Sequence, residues 1–156
     1  MERKASAYWR GSLLRGRGDV TTASGVLKNI PYSFATRFEN APGTNPEELV
    51  AAAHASCFSM ALSGALNKAG YEAKALEVSA TVTIEKEGAG YTVKSSKLKL
   101  RAQVPGIDAA LFSTLTEDAK KNCPISKLLN AEITLEARLE GSQTVSPKPN
   151  QQSSAV

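Results

Sequence analysis

The sequence predicts an α+β fold, mostly antiparallel sheet with one long buried central helix. Three observations carry that expectation. Several short segments alternate apolar and polar residues with period two. One apolar run of helical length follows a strong start signal. Strands come in runs separated by helices, with no regular βαβ alternation. The chain has 156 residues, of which 42% are hydrophobic and 22% charged. That length and usage suit one folded unit and exclude a wholly disordered chain, a fibre or a collagen-like repeat.

Taken in order, Lys4 to Arg10 alternates loosely, Gly11, Gly16 and Gly18 punctuate a basic loop, and Asp19 to Leu27 reads as a second short strand. A third strand is expected over Ser33 to Phe38, after Pro31 and before the breakers Asn40, Pro42 and Gly43. Asn45 then reads as an N-cap, with Pro46 at the first helical position and Glu48 placed to close a capping box. The helix that starts there runs to Lys68. Its body, LVAAAHASCFSMALSGAL, is small and apolar on nearly every face, so it has to be buried. Its length invites a membrane reading, but a histidine, three serines and much alanine with no second span fit that poorly. Residues 1–140 can hardly surround a helix of ~33 Å unless a second copy of the chain helps.

Beyond Ala75, LEVSATVTIEKE alternates, Gly88 to Gly90 turns, and YTVKSSKLKLRAQV alternates again, an antiparallel hairpin with one charged face. Pro105 and Gly106 break it. Ile107 to Lys121 carries apolar residues at one-face helical spacing, Asn122, Cys123 and Pro124 interrupt it, PISKLLN makes a short turn, and AEITLEARLE is a last strand. From Gly141 to the end the chain is rich in Ser, Gln and Pro and reads as a disordered polar tail, residues 141–156.

Composition narrows the function classes. Lys plus Arg number 19 against 15 acids, and a net +4 is no nucleic-acid signature in itself. The start, MERKASAYWR, lacks the apolar stretch of a signal peptide, and two cysteines are too few for a disulfide scaffold, so the cytoplasm is the expected compartment. There is no CxxC, which removes thioredoxin-like centres and zinc ribbons; with a single histidine, no metal and no cofactor is expected.

Two thiols remain to be explained. Cys57 lies mid-helix, where an unpaired cysteine often serves only as a small hydrophobe and where the helix-terminal field has faded; activating it takes a cation from elsewhere. Cys123 precedes a proline at a helix start, so it sits at an N-cap with free backbone N–H groups nearby and Lys121 and Lys127 close in sequence. Local physics therefore makes Cys123 the easier thiolate, unless it is only a weak cap. His54, three residues before Cys57, is either a partner for a Cys–His nucleophile or a hydrogen-bonded core residue. Glu47 and Glu48 both favour the helix start, but only Glu48 has a capping task. Glu47 is free to hold Arg37, and a Glu–Arg pair fixes the guanidinium in a bidentate geometry.

The stretches PYSFATRFENAPGTNPEELVAAAHASCFSMAL, VPGIDAALF and NCPISKLLNAEITLEARL closely resemble the osmotically inducible protein C (OsmC) family, sister group of the organic hydroperoxide resistance proteins. The likeness runs from about residue 3 to residue 140. It implies a cytoplasmic cysteine-based peroxidase built as an intertwined α+β homodimer with active sites at the subunit interface. By motif, Cys57 is then the peroxidatic cysteine, Cys123 the resolving one, Arg37 the cation that lowers the thiol pKa, and Glu47 the carboxylate that holds Arg37. An arginine within TRFE matches the OsmC branch; in the sister group it comes from nearer the N-terminus, where Arg10, Arg15 and Arg17 lie here.

The implied reaction is attack of the Cys57 thiolate on an organic hydroperoxide, giving the alcohol and a sulfenic acid, followed by a disulfide with Cys123 that an external thiol reductant reopens. Hydrogen peroxide is the weaker substrate expected of an apolar pocket. Lowering a thiol from ~8.5 to ~6 takes about 3.4 kcal/mol of preference for the thiolate, within reach of a desolvated arginine and beyond a mid-helix dipole. The disulfide requires the two Cα atoms within ~7 Å. Two alternatives stay open: a non-catalytic dimeric module binding a small apolar ligand with both cysteines merely packed, and nucleic-acid binding through Arg3, Lys4, Arg10, Arg15 and Arg17, which is the weaker since basic clusters on strands are usually solvated.

Overall fold

A computed structural model describes residues 1–141, and the polar tail expected from Gly141 lies, apart from that glycine, outside them. The order of elements is β1 (Ala5–Arg10), β2 (Arg17–Thr22), β3 (Ile30–Tyr32), α1 (Phe34–Phe38), α2 (Pro46–Lys68), β4 (Ala75–Glu87), β5 (Gly90–Gln103), α3 (Ala109–Asn122), α4 (Pro124–Leu128) and β6 (Glu132–Leu139). The fold is α+β, as expected. Its strands form two three-stranded sheets, β1-β2-β3 and β4-β5-β6. All pairings are antiparallel except β5 with β6, which is parallel.

The second sheet and α2 make the core. Along β4 the alternation turns Leu76, Val78 and Ala80 inward, while β5 contributes Ser96, Leu98, Leu100 and Ala102 to the same side. Helix α2 packs on that face, and α3 and α4 close its flank. Phe112 and Ala119 of α3 complete the buried cluster, which also includes Cys123.

The structure corrects several expectations. Ser33 to Phe38 is not a strand but the helix α1. The Ser33 Oγ accepts the Thr36 N–H at 3.2 Å while the Thr36 Oγ1 accepts the Ser33 N–H at 2.9 Å, a reciprocal cap that starts a helical turn. Phe34 and Phe38 then meet at i, i+4, with ring centroids 4.9 Å apart. The second correction concerns the long helix, which is central but not buried within one chain. Only His54, Phe58, Leu62 and Leu66 are fully buried, a single row spaced four residues apart, and Met60 is 77% exposed. The start of α2 is capped from one side only: the Asn45 side chain accepts the Glu48 N–H at 2.8 Å, whereas the Glu48 carboxylate accepts from Thr44 Oγ1 at 2.8 Å.

Candidate active site

Helix α2 carries Cys57 on the turn beside its buried row, and the junction of α3 and α4 carries Cys123, which ends one helix and begins the next. Pro124 forces that change of direction, because it takes the first position of α4 and cannot continue α3. The result brings two thiols 66 positions apart in sequence into contact, with the Cys123 Sγ donating to the Cys57 Sγ at 2.9 Å. Both are free cysteines; Cys57 is half-buried and Cys123 fully buried.

Their environments push the thiols apart in acidity. Burial raises the Cys57 thiol, and the contact with Cys123 raises it further because Cys57 is the donor when Cys123 is the thiolate, against a smaller opposing pull from the Ile125 backbone. Burial also pushes Cys123 up, but the hydrogen bond with Cys57, the Ser126 backbone and hydroxyl, and the Ile125 backbone outweigh it, so the net shift is downward. In the thiol form the Cys123 sulfur makes no cap hydrogen bond of its own, because it is turned to Cys57. Within one chain the easier thiolate is therefore Cys123, in line with its place at a helix start.

Arg37 closes α1 and Glu47 lies in the first turn of α2. The guanidinium grips the carboxylate with both edges: Nη2 to Oε1 at 2.6 Å and Nε to Oε2 at 3.1 Å. The Arg37 Cζ also lies 5.0 Å from the Phe38 ring centroid, and Phe38 stacks in turn on Tyr91 at 4.8 Å. A concavity of about 310 Å³ opens here, lined by Trp9, Leu13, Tyr32, Phe34, Arg37 and Phe38 among others. Of the other arginines considered, Arg10 is engaged elsewhere, 3.6 Å from Asp19 and 5.5 Å from the Tyr8 ring.

The two pairs, Cys57 with Cys123 and Arg37 with Glu47, are not joined within one chain. Arg37 is not among the groups that shift Cys57. Helical rise explains the gap, because ten residues from Glu47 to Cys57 span about 15 Å along α2.

His54 is not a partner of Cys57. Its Nδ1 meets the Ser96 Oγ at 2.7 Å and its Nε2 meets the Ser126 Oγ at 2.9 Å, and all three residues are buried. Burial lowers the His54 pKa, so the ring is neutral. Ser96 and Ser126 escaped the sequence analysis. The available signal for Ser126 was its place three residues after an N-cap cysteine, where a side chain faces back to the cap. Among the described residues, no group of three His, Cys, Asp or Glu could hold a metal ion.

Comparison with known proteins establishes the chain's kinship. The family described as OsmC-like protein matches residues 38–138. Peroxiredoxin OsmC of Escherichia coli (strain K12) is 48% identical over 140 residues, covering 90% of this chain and 98% of the relative. The organic hydroperoxide resistance protein of Xanthomonas axonopodis pv. citri (strain 306) is 34% identical over 97 residues, covering 60% of this chain and 66% of the relative. Among solved structures, the organic hydroperoxide resistance protein OhrB of Bacillus subtilis superposes with a TM-score of 0.65 at 26% identity, covering 86% of this chain and 98% of that one. A family match across most of the folded chain, joined to a near full-length relative, settles the kinship: the chain belongs to the OsmC-like protein family.

Proposed function

We propose that this chain is a cysteine-based peroxidase that reduces organic hydroperoxides to alcohols, with Cys57 as the nucleophile and Cys123 as the resolving thiol. One observation carries the proposal: two free sulfurs in contact, one half-exposed and one fully buried. A peroxide can reach Cys57 and not Cys123, which divides the roles although Cys123 is the easier thiolate in the single chain. Kinship with a peroxiredoxin supports the same chemistry.

In the proposed cycle the Cys57 thiolate attacks one peroxide oxygen and breaks the O–O bond. The alcohol leaves with a proton, and Cys57 becomes a sulfenic acid. Cys123 then closes a disulfide and an external thiol reductant reopens it. The working unit we propose is residues 1–140 in a homodimer. The distance along α2 supports this, since Glu47, which holds Arg37, stands about 15 Å before Cys57 of its own chain by helical rise. A second copy with its α2 crossing the first would bring Arg37 to the sulfur, where a desolvated cation offsets burial. The aromatic concavity beside Arg37 would then favour an organic peroxide tail over small hydrophilic peroxides.

The test is reaction of the reduced protein with cumene hydroperoxide and with hydrogen peroxide, following thiols and alcohol. The expected outcome is loss of two thiols per peroxide and faster reaction with the organic substrate. Cys57→Ser should abolish turnover, and Cys123→Ser should allow one reduction followed by over-oxidation. Turnover that survives Cys57→Ser sinks the proposal. Thiols that persist in excess peroxide would leave the cysteines as packing and favour an apolar-ligand module.

A further inference from the structure

The peroxidase cycle as proposed uses four residues and leaves a buried polar chain unexplained. Ser96 on β5, His54 on α2 and Ser126 on α4 run in sequence through the core, their contacts 2.7 Å and 2.9 Å long. Isolated polar groups in a core are costly, and among the described residues no buried side-chain nitrogen or oxygen lacks a partner. The chain ends beside Cys123. Ser126 is the third residue of α4 and Cys123 its N-cap, so the two lie within one turn of each other.

We infer that His54, held by Ser96, is a positioning residue that aims the Ser126 hydroxyl at Cys123 and so sets the rate of disulfide closure. The inference rests on the peroxidase proposal. Hydrogen-bond direction carries it. For Ser126 to donate its proton to the Cys123 sulfur, its oxygen must accept from His54, so Nε2 carries the ring proton. Nδ1 is then bare and accepts from the Ser96 hydroxyl. In the opposite tautomer Ser126 would donate to the ring and its proton would turn away from the sulfur. Each bond in a chain aligned in one direction strengthens the next. The Ser126 hydroxyl and the N–H groups of Ile125 and Ser126 do favour the charged form of Cys123.

The step affected is the second one. The Cys123 thiolate attacks the sulfur of the Cys57 sulfenic acid, forming the S–S bond and breaking the S–O bond. Hydroxide leaves and combines with the proton given up by Cys123 to make water. The Cys123 sulfur is oxidised by one electron equivalent and the Cys57 sulfur reduced by one. Attack on the peroxide does not involve Ser126.

The experiment is a single turnover of the full reduced chain with one equivalent of cumene hydroperoxide, quenched at intervals and weighed by intact mass. A gain of 16 Da marks sulfenic acid, a loss of 2 Da marks disulfide, and a gain of 32 Da marks sulfinic acid. Ser126→Ala and His54→Leu are expected to slow disulfide closure about tenfold or more, accumulating sulfenic acid that a second equivalent of peroxide carries on to sulfinic acid, with sulfenic acid formation within about twofold of the parent. Ser126→Thr, which keeps the hydroxyl, and His54→Gln, whose amide can reach Ser126, should restore most of the closure rate. Unchanged closure in Ser126→Ala overturns the inference, as does equal slowing of both steps. Ser126→Ala alters one short helix and keeps the test decisive where His54→Leu does not fold. A parent chain that forms no sulfenic acid would fail differently, removing the peroxidase proposal itself.

Discussion

Glu47 has a structural task at the start of α2 and, in the proposed mechanism, a second task in holding Arg37. In the first turn of α2 it favours the helix start whatever else it does. Its carboxylate is nevertheless spent on a bidentate grip of Arg37, which an amide cannot reproduce with charge. Glu47→Gln is therefore expected to cost little in folding, since other cap interactions remain at Asn45. It should lower kcat/KM for cumene hydroperoxide by about tenfold to a hundredfold, because the guanidinium loses its fixed direction. Arg37→Lys should lose as much, the charge being kept and the fork lost. Steady-state kinetics with thermal melts separates the two effects, and an unaltered kcat/KM in both variants would take Arg37 and Glu47 out of the mechanism. Arg37, Glu47 and Cys123 stood out as candidates in the sequence because TRFE, TNPEEL and NCP each combine a local structural signal with a reactive group. Ser126 did not, since its meaning appears only when His54, 72 positions away, arrives beside it.

At the scale of elements, legibility followed the strength of local signals. The β4–β5 hairpin alternates over many residues around a glycine turn, and α2 has both an asparagine cap and a first-turn proline. Helix α1 was misjudged because six residues of SFATRF satisfy a strand pattern and a helical turn alike, and the Ser33–Thr36 exchange of hydrogen bonds decided between them. The same scale governs how acid acts on the fold. His54 is the point where α2, β5 and α4 meet, and its pKa is lowered by burial from an ordinary value of 6.5. Below that value the unfolded chain binds a proton that the folded chain refuses. His54 therefore contributes full stability above about pH 6.5, and the contribution falls as pH drops toward its folded value. The slope is at most about 1.4 kcal/mol per pH unit, the limit for one proton. Urea unfolding at a series of pH values should show this loss between pH 6.5 and 5, and His54→Gln should flatten that part of the profile. An identical profile in the variant would mean that His54 is protonated in the folded chain.

For the whole molecule, the decisive fact is how little of α2 one chain covers. The helix is long and apolar enough to pass for a membrane span, yet it lies across a sheet and buries a single row. The first sheet packs only sparsely on the later elements, and Leu13, Leu14 and Val26 around its loops are 67%, 70% and 83% exposed. Large exposed apolar side chains are what the proposed interface would cover. The homodimer proposed above would account for both exposures and for the gap of about 15 Å along α2 between Glu47 and Cys57. Met60 discriminates, being 77% exposed and one turn of α2 beyond Cys57. On a free surface, Met60→Glu would change stability by no more than about 0.5 kcal/mol and leave the sedimenting mass alone. Within a helix-on-helix interface the same substitution buries an unpaired carboxylate, a penalty of several kcal/mol, and should raise the dimer dissociation constant by about a hundredfold or more. Sedimentation of the parent is expected at twice the 16.5 kDa chain mass, with Met60→Glu at the monomer mass in the low micromolar range. Peroxide turnover should fall with dimer content and recover as protein concentration rises, because Arg37 would reach Cys57 only across the interface. A Met60→Glu protein that sediments and reacts like the parent would put the interface elsewhere and leave Arg37 without a route to the sulfur.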